Sequence, residues 1–343
     1  MVTIKDVAKE AGVSLATISR VINGAENVSP EIRSKVQEAI KKLGYFPNNA
    51  ARSLVKRQSG AIAVLLRDLH SPFYTDLIKG FEDGAAETKH NVVFCSLGRD
   101  QDTRDRYMQY LTNGIADAII LYGSLFSDQP IIEKLYESKF PFLLIEHDYD
   151  TLPLNEFLIN NLEGARNAVE YLIEKKHVRI AHFMGDPNKK VNLERFNGYT
   201  QSMQQHGIPI QPDFIKNIFK DYTMASQYAA QFMKQPFSQR PTAIFCSNDR
   251  IAAAAIQGIQ EAGGSVPGDM SIIGFDNQKI LMNDYHGSSI TSVKQPLYQI
   301  GYDSIHSLIH ILEGKSDARP LHRIYDTELV ILDTVAECKE TNP

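Results

Sequence analysis

Residues 3–54 read TIKDVAKEAGVSLATISRVINGAENVSPEIRSKVQEAIKKLGYFPNNAARSL, and the turn signals in this stretch decide what the N-terminal part of the chain can be. Thr3 stands where a helix cap would, with Asp6 three residues on as a variant of the capping box. Ile4, Val7 and Ala8 then recur at helical spacing. Gly12 breaks this helix, and Ser14 caps a second one running to about Asn23, with Ile18, Val21 and Ile22 as its apolar positions. Ser29 and Pro30 open a third helix, because proline at the first helical position loses no hydrogen bond. Its buried stripe is Ile32, Val36, Ala39, Ile40 and Leu43, and Gly44 closes it. Two short helices joined by a tight glycine turn, with a third packed beneath, is the plan of a helix-turn-helix.

In that plan the second helix enters the major groove with its N-terminal residues on base edges. Here those are Leu15, Ala16 and, one turn on, Arg20. Arginine can bond guanine through two parallel hydrogen bonds, whereas leucine and alanine touch thymine methyls or exclude other bases. Ser14, Thr17, Ser19 and Asn23 are phosphate-contact candidates, and Thr3 joins the DNA-contact set. Charge agrees with a polyanionic partner. Residues 1–60 hold ten Lys/Arg and five Asp/Glu, a net of +5, while the remainder holds 26 and 36, a net of −10. From these residues alone, a small helical bundle with a solvated basic face remains an open alternative.

The next segment, GYFPNNAARSLVKRQSG (44–60), has a turn signal at each end and about eight residues of helix between them. Isolated helices shorter than roughly a dozen residues are marginal in water, so this one needs outside support.

The motifs T-I-x-D-V-A, A-G-V-S-x-A-T-x-S-R-V-x-N, V-S, R-x-K-V, L-G-Y-x-P-N and A-x-S-L in this region resemble the DNA-binding head of the LacI/GalR family of bacterial transcription regulators. The resemblance implies that about Asn49–Val55 is a hinge helix that folds in the minor groove at the centre of a palindromic operator. Asn48 or Asn49 would cap it. Ala50 and Ala51 favour helix and allow close approach of a symmetry mate. Leu54 resembles the family's wedge leucine, which trades unstacking energy for a bent, better-wrapped site. Asn48, Ala51, Arg52 and Leu54 complete the expected DNA-binding set.

Beyond residue 60, apolar runs alternate with amphipathic helical stretches. Candidate strands are AIAVLL (61–66), NVVFCSL (91–97), DAIILYG (117–123), FPFLLIEHD (140–148), EFLINN (156–161), RIAHFMG (179–185), TAIFCSND (242–249), SIIGFDN (271–277) and ITSVKQ (290–295). Such alternation indicates parallel, doubly wound sheets, and so many strands exceed one comfortable sheet, so two lobes are expected. Ligands in open α/β sheets bind at the carboxyl ends of strands. Those ends are polar and mixed here: Asp68, Phe73, Tyr74, Glu146, Asn248, Asp249, Asp276 and Asn277. No dinucleotide-binding glycine pattern, phosphate loop, nucleophile elbow or HExxH is present. His147, His182 and His286 read as loop or core residues rather than ligands. The body therefore reads as a binder, not an enzyme, with no metal and no cofactor.

SPFY after the first strand, ERFNGY (194–199), KDY (220–222), CSND (246–249), GFDN (274–277) and ITSVKQP (290–296) extend the same family resemblance across the body. It implies a regulatory core of periplasmic-binding-protein type: two lobes, three crossovers, and a ligand in the cleft. On this resemblance Arg195 and Asp276 grip ligand hydroxyls from opposite sides, Asn248 adds a hydrogen bond, and Tyr222 stacks on the ligand. Phe73, Tyr74, Glu146 and Gln295 complete the effector set. A carboxylate and a guanidinium complement vicinal hydroxyls, and an aromatic ring suits the apolar face of a sugar. Lys189, Lys190 and Glu194 make the loop before Arg195 unusually charged, which fits either an acidic ligand or simple solvation.

The expected organisation is α + α/β. A helix-turn-helix domain spans 1–47 and a hinge helix and linker span 48–59. An effector-binding and dimerisation core spans 60–343, its N-lobe about 60–160 and 291–320, its C-lobe about 161–290 and 321–340. The charged start MVTIKDVAKE does not suit a signal peptide, and no apolar run of about 20 residues exists, so a cytoplasmic protein with no membrane partner is expected. Cys95, Cys246 and Cys338 are few and far apart, in keeping with reduced thiols. DTVAECKETNP lacks leucine heptads, so a homodimer is expected, in keeping with palindromic DNA. The functional expectation is a sequence-specific regulator, a repressor of a carbohydrate operon controlled by a sugar or sugar derivative. The alternative is a regulator of the same family responding to a nucleobase or a phosphorylated carrier protein. For the latter, relatives carry a Tyr-Asp pair and an Arg on the helix after the last crossover, where this chain has Tyr298, Gln299 and His306.

If Leu54 is the wedge, Leu54→Ala weakens operator binding more than binding to non-specific DNA at the same salt concentration. Gel-shift titrations on both DNAs decide it, and equal losses would remove the wedge role.

Overall fold

The computed structural model describes residues 2–22, 25, 27–45, 58–97, 101–149, 151–219, 221–278, 289–315 and 319–339. Asn23, His286, Lys220 and the hinge candidates Asn48, Asn49, Ala50, Ala51, Arg52, Leu54 and Val55 lie outside these residues. The chain divides into two compact units, Met1–Ser59 and Gly60–Pro343.

The first unit holds three helices: α1 (Ile4–Ala11), α2 (Leu15–Ile22) and α3 (Pro30–Leu43). The Asp6 carboxylate accepts both the backbone N–H and the hydroxyl of Thr3, each at 2.8 Å. Gly12 and Gly44 take left-handed φ values of 66° and 60° at the ends of α1 and α3, which only glycine adopts without a side-chain penalty. Ser14 Oγ accepts the Thr17 N–H, and Ser29 Oγ accepts that of Ile32, so both expected caps are made. Val7, Ile18 and Val36, one from each helix, are fully buried and form the centre of a small core. Arg33 reaches across to the Ala25 carbonyl at 2.8 Å and ties the loop after α2 to α3.

The second unit contains two six-stranded sheets. The first has β1 (Ala61–Leu66), β2 (Asn91–Ser96), β3 (Ala118–Tyr122), β4 (Phe142–Ile145), β5 (Glu156–Ile159) and β11 (His322–Tyr325), in the order β11-β5-β4-β3-β1-β2. The second has β6 (Ile180–Met184), β7 (Ile215–Asn217), β8 (Ala243–Cys246), β9 (Ser271–Phe275), β10 (Ser292–Lys294) and β12 (Glu328–Val330), in the order β12-β10-β9-β8-β6-β7. All pairs are parallel except β10 with β12, which run antiparallel. Helices α4 (Thr75–Thr88), α5 (Gln101–Tyr110) and α6 (Gln129–Glu137) follow strands of the first lobe. Helices α7 (Asn161–Glu174), α8 (Lys190–Gln205), α9 (Thr223–Met233) and α10 (Asp249–Glu261) belong to the second, and α11 (Leu297–Leu312) returns to the first. Apolar clusters cover both faces of each sheet, which is why AIAVLL, AIILY and FLLI read as continuous apolar runs rather than alternating ones.

The second and third crossovers fall later than the sequence suggests. Ser292–Lys294 pairs with β9 and so lies in the second lobe, not the first. His322–Tyr325 pairs with β5 in the first lobe, not the second. The chain therefore changes lobe after Ile159, near Pro296, and between Tyr325 and Glu328. The strands responsible are three or four residues long and, in β11, exposed at three of four positions, so they leave no hydrophobic pattern to read. The same brevity hides β7 and β12.

Helix α11 is held in the first lobe by backbone contact against α4. A Cβ on Gly80 would lie 2.1 Å from the Tyr298 carbonyl oxygen, and one on Gly301 would lie 2.3 Å from that of Leu77. Neither backbone can yield without separating the helices. Gly80→Ala and Gly301→Ala are each expected to cost about 2–3 kcal/mol of core stability. Urea unfolding measures it. A change below about 0.5 kcal/mol, ordinary for a surface site, would show that the helices do not pack this closely.

Candidate functional site

In the first unit, α2 sorts its residues by face. Ile18 and Val21 point into the core, while Leu15, Ala16, Ser19 and Arg20 are exposed. Leu15 is 44% exposed, although the other large apolar side chains of the helix are covered. Ser14 and Thr17 hydroxyls lie 2.9 Å apart at the start of the helix, and the Thr3 hydroxyl is engaged by Asp6. Of the expected DNA contacts among the described residues, Ser14 and Thr17 sit at the start of α2, Leu15, Ala16, Ser19 and Arg20 share its exposed face, and Thr3 lies at the start of α1.

In the second unit, the carboxyl ends of both sheets open on one cavity of about 280 Å³. Phe73, Tyr74, Glu146, Arg195, Tyr222, Asn248, Asp276 and Gln295 all line it, so the eight effector candidates converge. Arg195, on α8, is its central cation. Its guanidinium donates to Asn161 Oδ1 at 2.9 Å, to the Ser247 carbonyl at 2.6 Å and to Asp276 Oδ1 at 3.4 Å, and it stacks 3.7 Å from the Phe275 ring centroid. Asp276, following β9, also accepts from Gln295 at 2.5 Å and Gln278 at 3.1 Å. Arg195 and Asp276 therefore belong to the same lobe. The expectation that they act from opposite sides is corrected: the opposing carboxylate is Glu146, which follows β4 of the first lobe. Its oxygens accept from the Ile159 N–H at 2.6 Å and Asn161 Nδ2 at 2.8 Å.

Glu146, Asp276 and Asn277 have φ values of 49°, 99° and 50°. Side-chain-bearing residues pay on the order of 1–3 kcal/mol for such backbone, and the cost is characteristic of functional sites. Here it turns two carboxylates into the cavity immediately after their strands end. Phe73, Tyr74 and Tyr122 pack edge to face, with centroids 5.1–6.0 Å apart, and form an aromatic wall. Arg250 lies 4.5 Å from the Tyr222 ring centroid. Asn248 lines the cavity but spends its side-chain oxygen on capping α10 through the Ile251 N–H.

Sequence reasoning missed several residues in or behind the cavity wall. Asn161 is 1% exposed and bridges Glu146 of one lobe to Arg195 of the other. The asparagine pair ending EFLINN was its only signal. Arg67, Ser124 and Asp148 also line the cavity, each from a loop after a strand of the first lobe. Lys189 lines it too, whereas the Lys190 backbone N–H donates to Asp148 at 3.1 Å. His147 instead bonds Glu156 at 2.5 Å, and His182 stacks among Phe196, Tyr199 and Phe245. Among the described residues, no three His, Cys, Asp or Glu side chains are grouped to hold a metal, and no helix is long and apolar enough to cross a membrane. A larger groove of about 540 Å³ between α9 and α10 is floored by Ala253 and Ala254 and lacks this convergence of charges.

A helix-turn-helix unit followed by a two-lobed parallel α/β unit with a polar, aromatic-walled cavity defines a ligand-responsive DNA-binding regulator rather than an enzyme. The chain belongs to the LacI family of bacterial transcription regulators. Residues 3–48 match the family model "Bacterial regulatory proteins, lacI family", and residues 169–335 match "Periplasmic binding protein-like domain". The chain is 35% identical to catabolite control protein A of Priestia megaterium over 301 residues, 88% of this chain and 89% of that protein. It is 26% identical to the crystal structure of the lac repressor dimer bound to operator and the anti-inducer ONPF, covering 98% of this chain and 99% of that one, with a TM-score of 0.83. A complex of the transcriptional regulator CelR with cellobiose is 25% identical, covering 97% and 100%, with a TM-score of 0.71.

Burial around Arg195 shifts the carboxyls upward. Asp249, beside the cavity, is pushed to about 8 by burial and by Asp276; Glu146 reaches about 7 and Asp276 about 6, burial leading in both. Folded, these groups hold protons that the unfolded chain releases near pH 4, so their stabilisation is lost as pH rises through the folded values. His177 and His182 are lowered to about 4 by burial, so they cost stability only as pH falls below about 6.5. Between pH 6.5 and 8 the carboxyls act alone among these groups. Unfolding free energy is expected to drop by on the order of 1–2 kcal/mol across that window, and Asp249→Asn should flatten the drop. Urea unfolding at both pH values checks it, and an identical slope in the variant would contradict it.

Proposed function

We propose that this regulator is a homodimeric repressor of a carbohydrate-utilisation operon, controlled by an uncharged sugar or sugar derivative bound between its two lobes. One observation carries the effector part. A guanidinium and two carboxyls converge with an aromatic wall on a single cavity, the complement of a hydroxylated ring with an apolar face. Four cations, Arg67, Arg195, Arg250 and Lys189, stand against three carboxyls, Glu146, Asp148 and Asp276, and Arg67 is already held by Asp128, so the charges left to a ligand nearly balance, which disfavours a strongly anionic one. The solved CelR complex contains cellobiose, which supports a sugar. For DNA, the exposed Leu15, Ala16 and Arg20 read bases in the major groove of a palindromic operator. Ser14, Thr17, Ser19 and Asn23 hold phosphate, and the hinge residues Asn48, Ala51, Arg52 and Leu54 enter the minor groove.

The phosphorylated-carrier reading is second. Tyr298 on α11 donates its hydroxyl to Asp83 at 3.1 Å, and Tyr302 bonds Glu87. Asp83 also pairs with Lys79, and Glu87 lies 3.6 Å from His306, so both tyrosine hydroxyls are already committed and neither is left to donate to a phosphoryl group.

A ligand shifts DNA affinity only by its differential affinity for the two states of the protein. Operator affinity, measured at fixed salt with and without neutral sugars, sugar phosphates and purines, is expected to change with a neutral sugar. Asp276→Asn should raise the sugar concentration needed by about tenfold or more, as loss of a charge-assisted hydrogen bond does, with sugar-free operator affinity kept within a few fold. A response to purines alone would overturn the sugar reading.

A further inference from the structure

The effector candidates read from the sequence leave one end of the cavity unexplained. Ser124, in the loop after β3, is 1% exposed, and Asp148, after β4, is 6% exposed. Both line the cavity, yet Ser124 Oγ and Asp148 Oδ2 have no hydrogen-bond partner among the described residues. Leaving a buried donor or acceptor unpaired is costly, so two such atoms on residues lining one cavity point to a ligand. They are built to act together. The Asp148 N–H donates to the Ser124 carbonyl at 3.1 Å, and Asp148 Oδ1 accepts the Lys190 N–H at 3.1 Å. This leaves Oδ2 as the free acceptor. Lys189 lines the same end, and its charge offsets that of Asp148.

We propose that Ser124, Asp148 and Lys189 form a second recognition subsite, which takes a hydroxylated group of the effector beyond the part bound by Arg195 and Asp276. The mixed set selects its occupant. Asp148 repels a phosphate or carboxylate; Lys189 repels an ammonium, as does Arg67, which bonds the Gly123 carbonyl beside Ser124 and is otherwise held by Asp128. A neutral polyol can donate to Asp148 Oδ2, accept from Lys189 and do either with Ser124. The Tyr122 ring, two residues before Ser124 on β3, belongs to the aromatic wall of the first subsite, so one ligand can extend along that strand end from one subsite to the other. The effector class is therefore a glycoside with two hydroxylated units. This inference rests on the sugar reading above.

The test is calorimetric titration of the intact protein with glucose, galactose and ribose, and with cellobiose, maltose and lactose. At least one disaccharide is expected to bind ten or more times tighter than its own monosaccharide. In Ser124→Ala and Asp148→Asn that ratio should fall about tenfold, the scale of one lost hydrogen bond. Circular dichroism identifies any variant that does not fold, and the near-isosteric Asp148→Asn keeps the test open if Ser124→Ala fails. Equal affinity for mono- and disaccharides, or a ratio unchanged in both variants, would overturn the second subsite while leaving a sugar effector in place. If none of the six sugars binds, the sugar reading falls, and the subsite with it.

Discussion

The Arg195 guanidinium is the charge around which the core is arranged. A buried cation is tolerated only when its donors are satisfied and its charge is answered. Here the backbone carbonyl of Ser247, the side chain of Asn161 and the carboxylate of Asp276 do so, with the Phe275 ring beneath. Each partner comes from a different segment: the end of β8, the first crossover and the end of β9. One side chain on α8 thus reports on the placement of three segments. Through Asn161 it also reaches Glu146 in the other lobe. A ligand competing for these groups changes the bonding on both sides of the cleft.

That arrangement also explains the protonation behaviour. Glu146, Asp249 and Asp276 crowd a single guanidinium, so burial is offset only in part and their pKa values rise. The strained backbone at Glu146 and Asp276 has the same origin. Both carboxylates must turn sharply at the end of an apolar strand to face the cavity. Stability is traded for a site whose hydrogen-bonding groups are already in place.

Much of this was legible in the chain. Gly12, Ser14, Ser29, Pro30 and Gly44 are local signals with local physical causes, and the helices they delimit appear within a residue or so of expectation. The apolar strands of both sheets were legible because burial on two faces leaves an unbroken apolar run. The eight effector candidates were reachable because strand ends in such sheets are where ligands bind and because family motifs mark those positions. Asn161, Ser124 and Asp148 were not reachable. Ser124 and Asp148 are common polar residues in loops and Asn161 one at the start of a helix, and only burial distinguishes them.

The sequence by itself therefore determined the element types, the two-part plan and the membership in a regulator family, since these follow from periodicity, caps and motifs along the chain. Tertiary structure alone decided which lobe each short crossover strand joins, because that depends on a hydrogen-bond ladder with strands more than a hundred residues away for β11. It also decided that Arg195 and Asp276 share a lobe while Glu146 faces them, and that Ser124 Oγ and Asp148 Oδ2, both in the cavity lining, have no partner among the described residues. Sides of a cleft and buried partners are properties of distance in space, which spacing along a chain does not encode.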